Sequence, residues 1–178
     1  MYVKSRDEWR AWLEKNHDSK KEIWLIYYKK HTNKERIPYN DAVEEALCFG
    51  WIDSTAKRID DERYTQRFSP RRPNSELSEA NKERIRWMIQ EGKMTLAGLK
   101  AVEHAFEPEE EFTISEDILK ALKEDEETWK NFQEFPESYK RVRIGWIEMA
   151  RNRPDVFEQR LNYFLKMTAK KKMFGMIQ

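Results

Sequence analysis

A chain of 178 residues is long enough to bury a core, and 34 Lys and Arg against 33 Asp and Glu leave a formal net charge of +1. No global field therefore draws it to nucleic acid or an anionic bilayer. One cysteine excludes an intrachain disulfide and a multi-Cys zinc site.

Ser5 followed by Glu8 has capping-box spacing, and Trp9, Trp12 and Leu13 then repeat at helical intervals until Asn16 to Ser19 break the pattern. The run from Glu22 to Lys30 is rich in aromatic and β-branched residues and apolar at odd and even positions alike. That pattern predicts a strand covered on both faces, central in a small sheet. After a polar loop from His31 to Pro38, Asp41 and Glu44 repeat the capping spacing and open a helix whose face is Val43, Ala46, Leu47 and Phe49. Gly50 stops it, because glycine enters the left-handed region without a Cβ penalty.

Two strand-like runs follow, Trp51–Ile59 and Tyr64–Ser69, joined by the acidic turn from Asp60 to Arg63, and together they predict a β-hairpin that Pro70 and Pro73 end. A helix from Ser75 or Ser78 to Gly92 presents Leu77, Asn81, Ile85, Met88 and Ile89. A second, from Thr95 to Phe106, presents Leu99, Val102 and Phe106. The acidic stretch from Glu107 through Pro108 to Glu111 is the clearest shift in composition and is read as a linker. Beyond it the pattern is helical: Ser115 as a cap with Ile114 and Leu119 at staple spacing, a short turn from Asp125 through Trp129 and Phe132, and helices opened by Pro136 and Pro154. The predicted fold class is α+β, a small antiparallel sheet with a central hairpin packed by helices in residues 1–108, then an all-helical domain in 109–178.

Standard chemistry is mostly excluded by spacing. The five glycines, at 50, 92, 98, 145 and 175, fit neither a dinucleotide fingerprint nor a phosphate loop, and no Gly-x-Ser-x-Gly elbow is present. His17, His31 and His104 fall in separate segments without ligand spacing, so no metal site and no cofactor is expected. Cys48 reads as a small buried hydrophobe; a nucleophilic role would require a neighbouring cation to lower its pKa. Lys166, Lys170, Lys171 and Lys172 suit an ordinary helix end, where the macrodipole favours cations, better than a nucleic-acid patch.

The hairpin is the candidate site. If Trp51, Asp53, Thr55, Lys57 and Ile59 share a face, that face has apolar ends and a charged middle. With a four-residue turn Lys57 faces Gln66 and Thr55 faces Phe68. With a three-residue turn Asp53, Thr55 and Lys57 gather with Arg63, Thr65, Arg67 and Ser69. A one-residue slip exchanges the faces, and the residues permit both registers. Arg67, Arg71 and Arg72 leave the hairpin close together and have the fork geometry that binds carboxylate or phosphate; as a solvated edge they would instead deter aggregation.

The run from Asp41 to Ser54, which includes Cys48-Phe49-Gly50-Trp51-Ile52-Asp53, with Lys57, Asp60 and Tyr64-Thr65-Gln66-Arg67-Phe68-Ser69-Pro70-Arg71, resembles the signature of the YdeI/OmpD-associated, or bacteriocin-protection, proteins. Trp9, Trp12-Leu13 and Trp24-Leu25 fit the same pattern, and Ile114 to about Lys172 is similar to that family's C-terminal helical domain. Two places depart from it: Leu77 stands where a tryptophan is usual, and Arg153 to Phe157 replaces a Glu-Thr-Arg run. The resemblance implies a cytoplasmic protein linked to envelope stress, with protection against bacteriocins or cationic peptides, and carries over no catalytic residue.

The reading favoured is a non-enzymatic module without membrane insertion that binds a small anionic or peptide ligand in the hairpin groove. Lys57, Gln66, Arg67 and Arg71 would make the contacts, beside Asp53, and Trp51 and Phe68 would be the walls. The alternatives are an enzyme using Asp53 and Lys57 as an acid–base pair, and a weak nucleic-acid binder. Oligomeric state leaves no trace in the sequence.

Overall fold

The computed structural model describes residues 1–107 and 111–175. The centre of the expected linker, at 108–110, lies outside the described residues. By backbone proximity the chain divides into two compact units, one of residues 1–77 and 84–107, the other of 78–83 and 108–178.

In the first unit, α1 (Arg6–Asn16) begins where Ser5 Oγ accepts from the Glu8 amide at 3.2 Å. The reciprocal Glu8 carboxylate bond goes to the Lys4 amide at 2.8 Å, so the cap is a box displaced by one residue. Trp9 and Leu13 are buried, and Trp9 Nε1 donates to the Ala42 carbonyl at 3.0 Å. That bond ties α1 to α2 (Tyr39–Cys48) while disposing of the one polar atom the indole takes into the core. Helix α2 starts two residues before the expected cap. Pro38 sets its entry, and Asp41 sits in the first turn beside Arg6. Its end is as the sequence predicts, Gly50 having φ +74°.

Gly98, in α4 (Leu96–Val102), serves a different purpose: a Cβ there would lie 2.2 Å from the Cys48 carbonyl oxygen, so its absence lets α4 close on the end of α2. Thr95 caps α4 by accepting from the Gly98 amide, and it also donates from Oγ1 to that same Cys48 carbonyl at 2.6 Å.

Three antiparallel strands, β1 (Ile23–Tyr28), β2 (Trp51–Arg58) and β3 (Arg63–Pro70), form a sheet in the order β1-β3-β2. The expectation of β1 as the central strand is therefore corrected: β3 is central. The apolar residues on both faces of β1 misled because one face holds Leu25 and Tyr27 in the core, while the other holds Trp24, Ile26 and Tyr28 half-buried. The N-terminus shields the outer edge of β1. The Met1 carbonyl accepts from the Ile26 amide at 2.7 Å, and Tyr2 stands edge-on to Tyr28. Covering an edge in this way protects it from pairing with another chain. The unit's core gathers Trp9, Leu13, Leu25, Tyr27, Val43, Leu47, Trp51 and Phe68 under the sheet, with Ile85 and Met88 from α3 (Glu79–Gln90).

The second unit holds α5 (Glu116–Lys123), α6 (Glu126–Glu134), α7 (Glu137–Glu148) and α8 (Pro154–Ala169) around Ile118, Leu122, Phe132, Ile144, Ile147 and Phe164. Asp125 caps a full helix rather than the short turn expected, its carboxylate accepting from the Thr128 amide at 2.7 Å. Ser115 stands at the N-cap of α5 but makes no cap bond, because its hydroxyl is drawn to Glu148. No described helix is long and apolar enough to cross a membrane.

Candidate functional site

The register of the hairpin decides what the candidate residues can do together. Near the turn, Arg58 opposes Tyr64 and Lys57 opposes Thr65; at the far end Asp53 opposes Phe68 and Trp51 opposes Pro70. The two ends differ by one residue because a β-bulge lies between Asp53 and Ala56, where Ser54 and Thr55 together face Arg67. Neither register open to the sequence runs the whole length. The turn end follows the pairing of Lys57 with Thr65, and the bulge then exchanges the faces of β2.

Asp53 and Lys57 are consequently on opposite faces of the sheet. Asp53 joins the inner, core-facing side with Phe68. Lys57 joins the outer side with Thr65 and Arg67, its ammonium 4.8 Å from the centre of the Trp24 ring. The acid–base pair of Asp53 and Lys57 is thereby corrected: uninterrupted alternation would have put them together, and one extra residue in the strand separates them.

On the inner side, Asp53 Oδ2 accepts from the Tyr39 hydroxyl at 2.6 Å and from Gln66 Nε2 at 3.2 Å. The same Gln66 nitrogen donates to the Ser54 carbonyl at 3.1 Å, so one buried amide satisfies a backbone acceptor that the bulge removes from the ladder. Burial and the adjacent Asp53 carboxylate raise the Tyr39 pKa, so its proton stays in the bond with Asp53. Tyr27 stacks on Tyr64 at 5.2 Å, and its buried hydroxyl has no partner among the described residues. Trp51 and Phe68, expected as walls of a groove, are 1% and 0% exposed. They belong to the core, Trp51 anchored through Nε1 to the His17 carbonyl at 3.0 Å and Phe68 edge-on to Trp9 at 5.4 Å.

On the outer side, Arg67 lies directly across from Trp24 and reaches Glu22 at 2.7 Å and Ser54 Oγ at 3.3 Å. The Arg67 guanidinium, then the Trp24 indole N–H, hold the Glu22 carboxyl below the usual carboxylate range. Trp24, Lys57 and Arg67 thus make a solvent-facing patch of one indole and two cations, in which Glu22 is the acid within reach. Sequence reasoning assigned Trp24 to a covered strand. Its partial exposure is shared by Ile26 and Tyr28 on the same face of β1, and no local pattern encodes it.

Arg71 is spent on structure. Its Nη2 donates to the Ser75 carbonyl, the Ser75 hydroxyl and the Glu76 carbonyl at 2.8–3.2 Å, fastening the loop that follows the hairpin. Its position among the contacts therefore differs from that of Arg67, and burial lowers its pKa. Cys48 is fully buried, and burial together with the Glu45 carboxylate pushes its thiol up to about 11, which leaves it protonated and unreactive at neutral pH. Among the described residues no group of three His, Cys, Asp or Glu is placed to hold a metal ion. A shallow depression of about 400 Å³ on α5, lined by Glu116, Leu119, Lys120, Lys123 and Glu124, brings no buried polar group to bear on a ligand.

No curated protein and no solved structure matches this chain. Residues 111–171, the helical segment from α5 to the end of α8, match the family described as Bacteriocin-protection, YdeI or OmpD-Associated, which is the family the sequence resembles. Residues 1–101, which carry the sheet, the hairpin and both of its faces, match a domain of unknown function, DUF8412, and the chain belongs to that family.

Proposed function

We propose that the protein is a non-enzymatic cytoplasmic binding module of two domains, residues 1–108 and 109–178, whose hairpin recognises a small anionic ligand or an acidic peptide. The observation that supports this most directly is the outer patch, where Lys57 and Arg67 lie beside the half-exposed Trp24 ring. An arginine fork binds a carboxylate or phosphate in two places at once, a lysine adds a mobile point charge, and an indole offers a flat apolar surface. Glu22 occupies Arg67 at 2.7 Å, as a ligand carboxylate would. The family description matched by residues 111–171 supports a role in protection against bacteriocins.

The test is calorimetric titration of the full chain with tetraglutamate and with inorganic phosphate. Arg67→Ala and Lys57→Ala are each expected to weaken tetraglutamate binding about 5- to 10-fold, the worth of about 1 kcal/mol for one solvent-exposed hydrogen bond. Affinity unchanged in both variants would overturn the assignment. Binding of single-stranded DNA that falls steeply with salt would favour a nucleic-acid role instead.

A further inference from the structure

Helix α7 presents Arg143 to a cluster of rings. The guanidinium lies 5.8 Å from the Tyr139 ring centre, 5.7 Å from Trp146 and 5.0 Å from Phe174. The residue is 9% exposed, its Nε is buried without a hydrogen-bond partner, and it forms no ion pair among the described residues. Arg160 stands 4.7 Å from the same Trp146 ring, donates to the Trp146 carbonyl, and likewise has no described carboxylate partner. Two cations are therefore drawn in among aromatic rings with no anion among the described residues facing them. Ring faces offset part of the cost of desolvating a guanidinium, but a fork of N–H donors aimed into a low-dielectric site is completed by an anion.

One wall of this site comes from the segment after α8. Phe174 lies 4.8 Å from Tyr163, 5.8 Å from Trp146, 6.4 Å from Tyr139 and 6.5 Å from Phe164, so the site receives a benzyl ring. The next residue, Gly175, passes against the guanidinium so closely that a Cβ there would be 2.7 Å from Arg143 Nη1. A phenylalanine laid on Phe174 with its chain ending at that residue would put its carboxylate against Arg143. Ring contacts hold Phe174, while its backbone is tied by one bond, the amide donating to the Tyr139 hydroxyl at 3.3 Å, and the preceding Met173 is 57% exposed.

We propose that Arg143 and Trp146, with Tyr139 and Tyr163, form a binding site for an aromatic carboxylate, above all the free C-terminal phenylalanine of a peptide, and that Phe174 is a tethered occupant which the ligand displaces. The site lies in the helical unit and does not depend on the reading of the hairpin. Burial, which lowers the Arg143 pKa, is offset once a carboxylate arrives.

The full chain is titrated by calorimetry with 3-phenylpropionate, its neutral amide, inorganic phosphate, and a tetrapeptide ending in phenylalanine as free acid and as amide. The acids are expected to bind at least tenfold more tightly than the amides. A peptide acid tighter than 3-phenylpropionate points to a chain terminus, and equal affinity to a small acid; both support the site. Phe174→Ala removes the competing occupant and is expected to tighten binding about tenfold. Arg143→Met is expected to abolish the preference for acid over amide while leaving the thermal midpoint unchanged or higher, since an unpaired buried charge is removed. A purely structural Arg143 would instead lower the midpoint, and a drop of more than about 5 °C overturns the proposal. So do equal affinities for acid and amide, binding of phosphate alone, or a Phe174→Ala chain that binds no more tightly than the parent. Should Phe174→Ala not fold, the comparison of acid with amide on the unaltered chain decides.

Discussion

Each unit draws a pair of arginines in among large side chains, and the pairs differ in what faces them. In the sheet-containing unit, Arg6 and Arg10 converge on Glu45, a carboxylate only 1% exposed, with Arg10 Nη1 at 2.7 Å from Glu45 Oε2 and Arg6 Nη2 at 2.7 Å from Glu44. The charges answer one another, and both arginines have raised pKa values despite burial, through their bonds to Glu45 and, for Arg6, Glu44. In the helical unit Arg143 and Arg160 meet rings and a carbonyl. Arg6 and Arg10, closed off by carboxylates of their own chain, are part of the scaffold, whereas Arg143, which no described anion faces and no loop carbonyl satisfies, has capacity for a ligand.

Removing Glu45 breaks the first half of this contrast most severely. Glu45→Ala leaves two partly buried guanidinium groups without their shared anion, and a loss of about 3–5 kcal/mol is expected in urea denaturation. Arg143→Met, the corresponding cut in the helical unit, is expected to cost nothing by the same measurement. Equal losses would erase the distinction.

A smaller effect tests whether the inner face of the hairpin is scaffold too. Gln66→Ala strips a donor from Asp53 Oδ2 and from the Ser54 carbonyl, and about 1–3 kcal/mol is expected from leaving those acceptors unsatisfied. Tetraglutamate affinity should stay at the parental value, because Gln66 faces away from Lys57 and Arg67.

Between the two extremes stands Arg151, exposed yet fully answered, with Asp117 at 2.6 Å and Glu148 at 2.7 Å. Bonds from Arg151 hold both carboxyls below the usual carboxylate range. Folded-state pKa values depressed in this way mean a contribution present in full above about pH 5 and lost as pH falls through the ordinary carboxylate values near 4 and below. Solvent screens such a group, so the effect is small and falls with salt. Acid denaturation of Arg151→Ala beside the parent chain, at low and high ionic strength, should show the gap between the two curves narrowing as pH falls below the ordinary carboxylate range. The smallest signal concerns Cys48. With its thiol near pH 11 and buried, modification by a thiol reagent at pH 8 should follow global unfolding and not precede it.

Much of this fold is legible in short stretches. Ser5, Gly50, Thr95 and Asp125 mark element ends because a cap acts within about four residues, and the hairpin is announced by alternation on either side of an acidic turn. The candidate site is legible only in part. Lys57 and Arg67 do share a face, but Trp51 and Phe68 are core, Arg71 staples a loop, and Trp24 joins the patch from another strand. The bulge at Ser54–Thr55 contains no glycine to betray it, and its stabilising partner, Gln66, lies across the sheet.

The chain's local chemistry by itself determined the α+β class, the order of helices and strands, the stop at Gly50 and the presence of a hairpin, since each rests on backbone preferences and on periodicity within one element. Tertiary structure alone decided that β3 is central, that Asp53 and Lys57 part company across the sheet, that Glu45 neutralises Arg6 and Arg10, and that Arg143 is set among rings. Each of those outcomes is a pairing between residues distant in sequence, and a side chain's exposure and partners are properties of what packs against it.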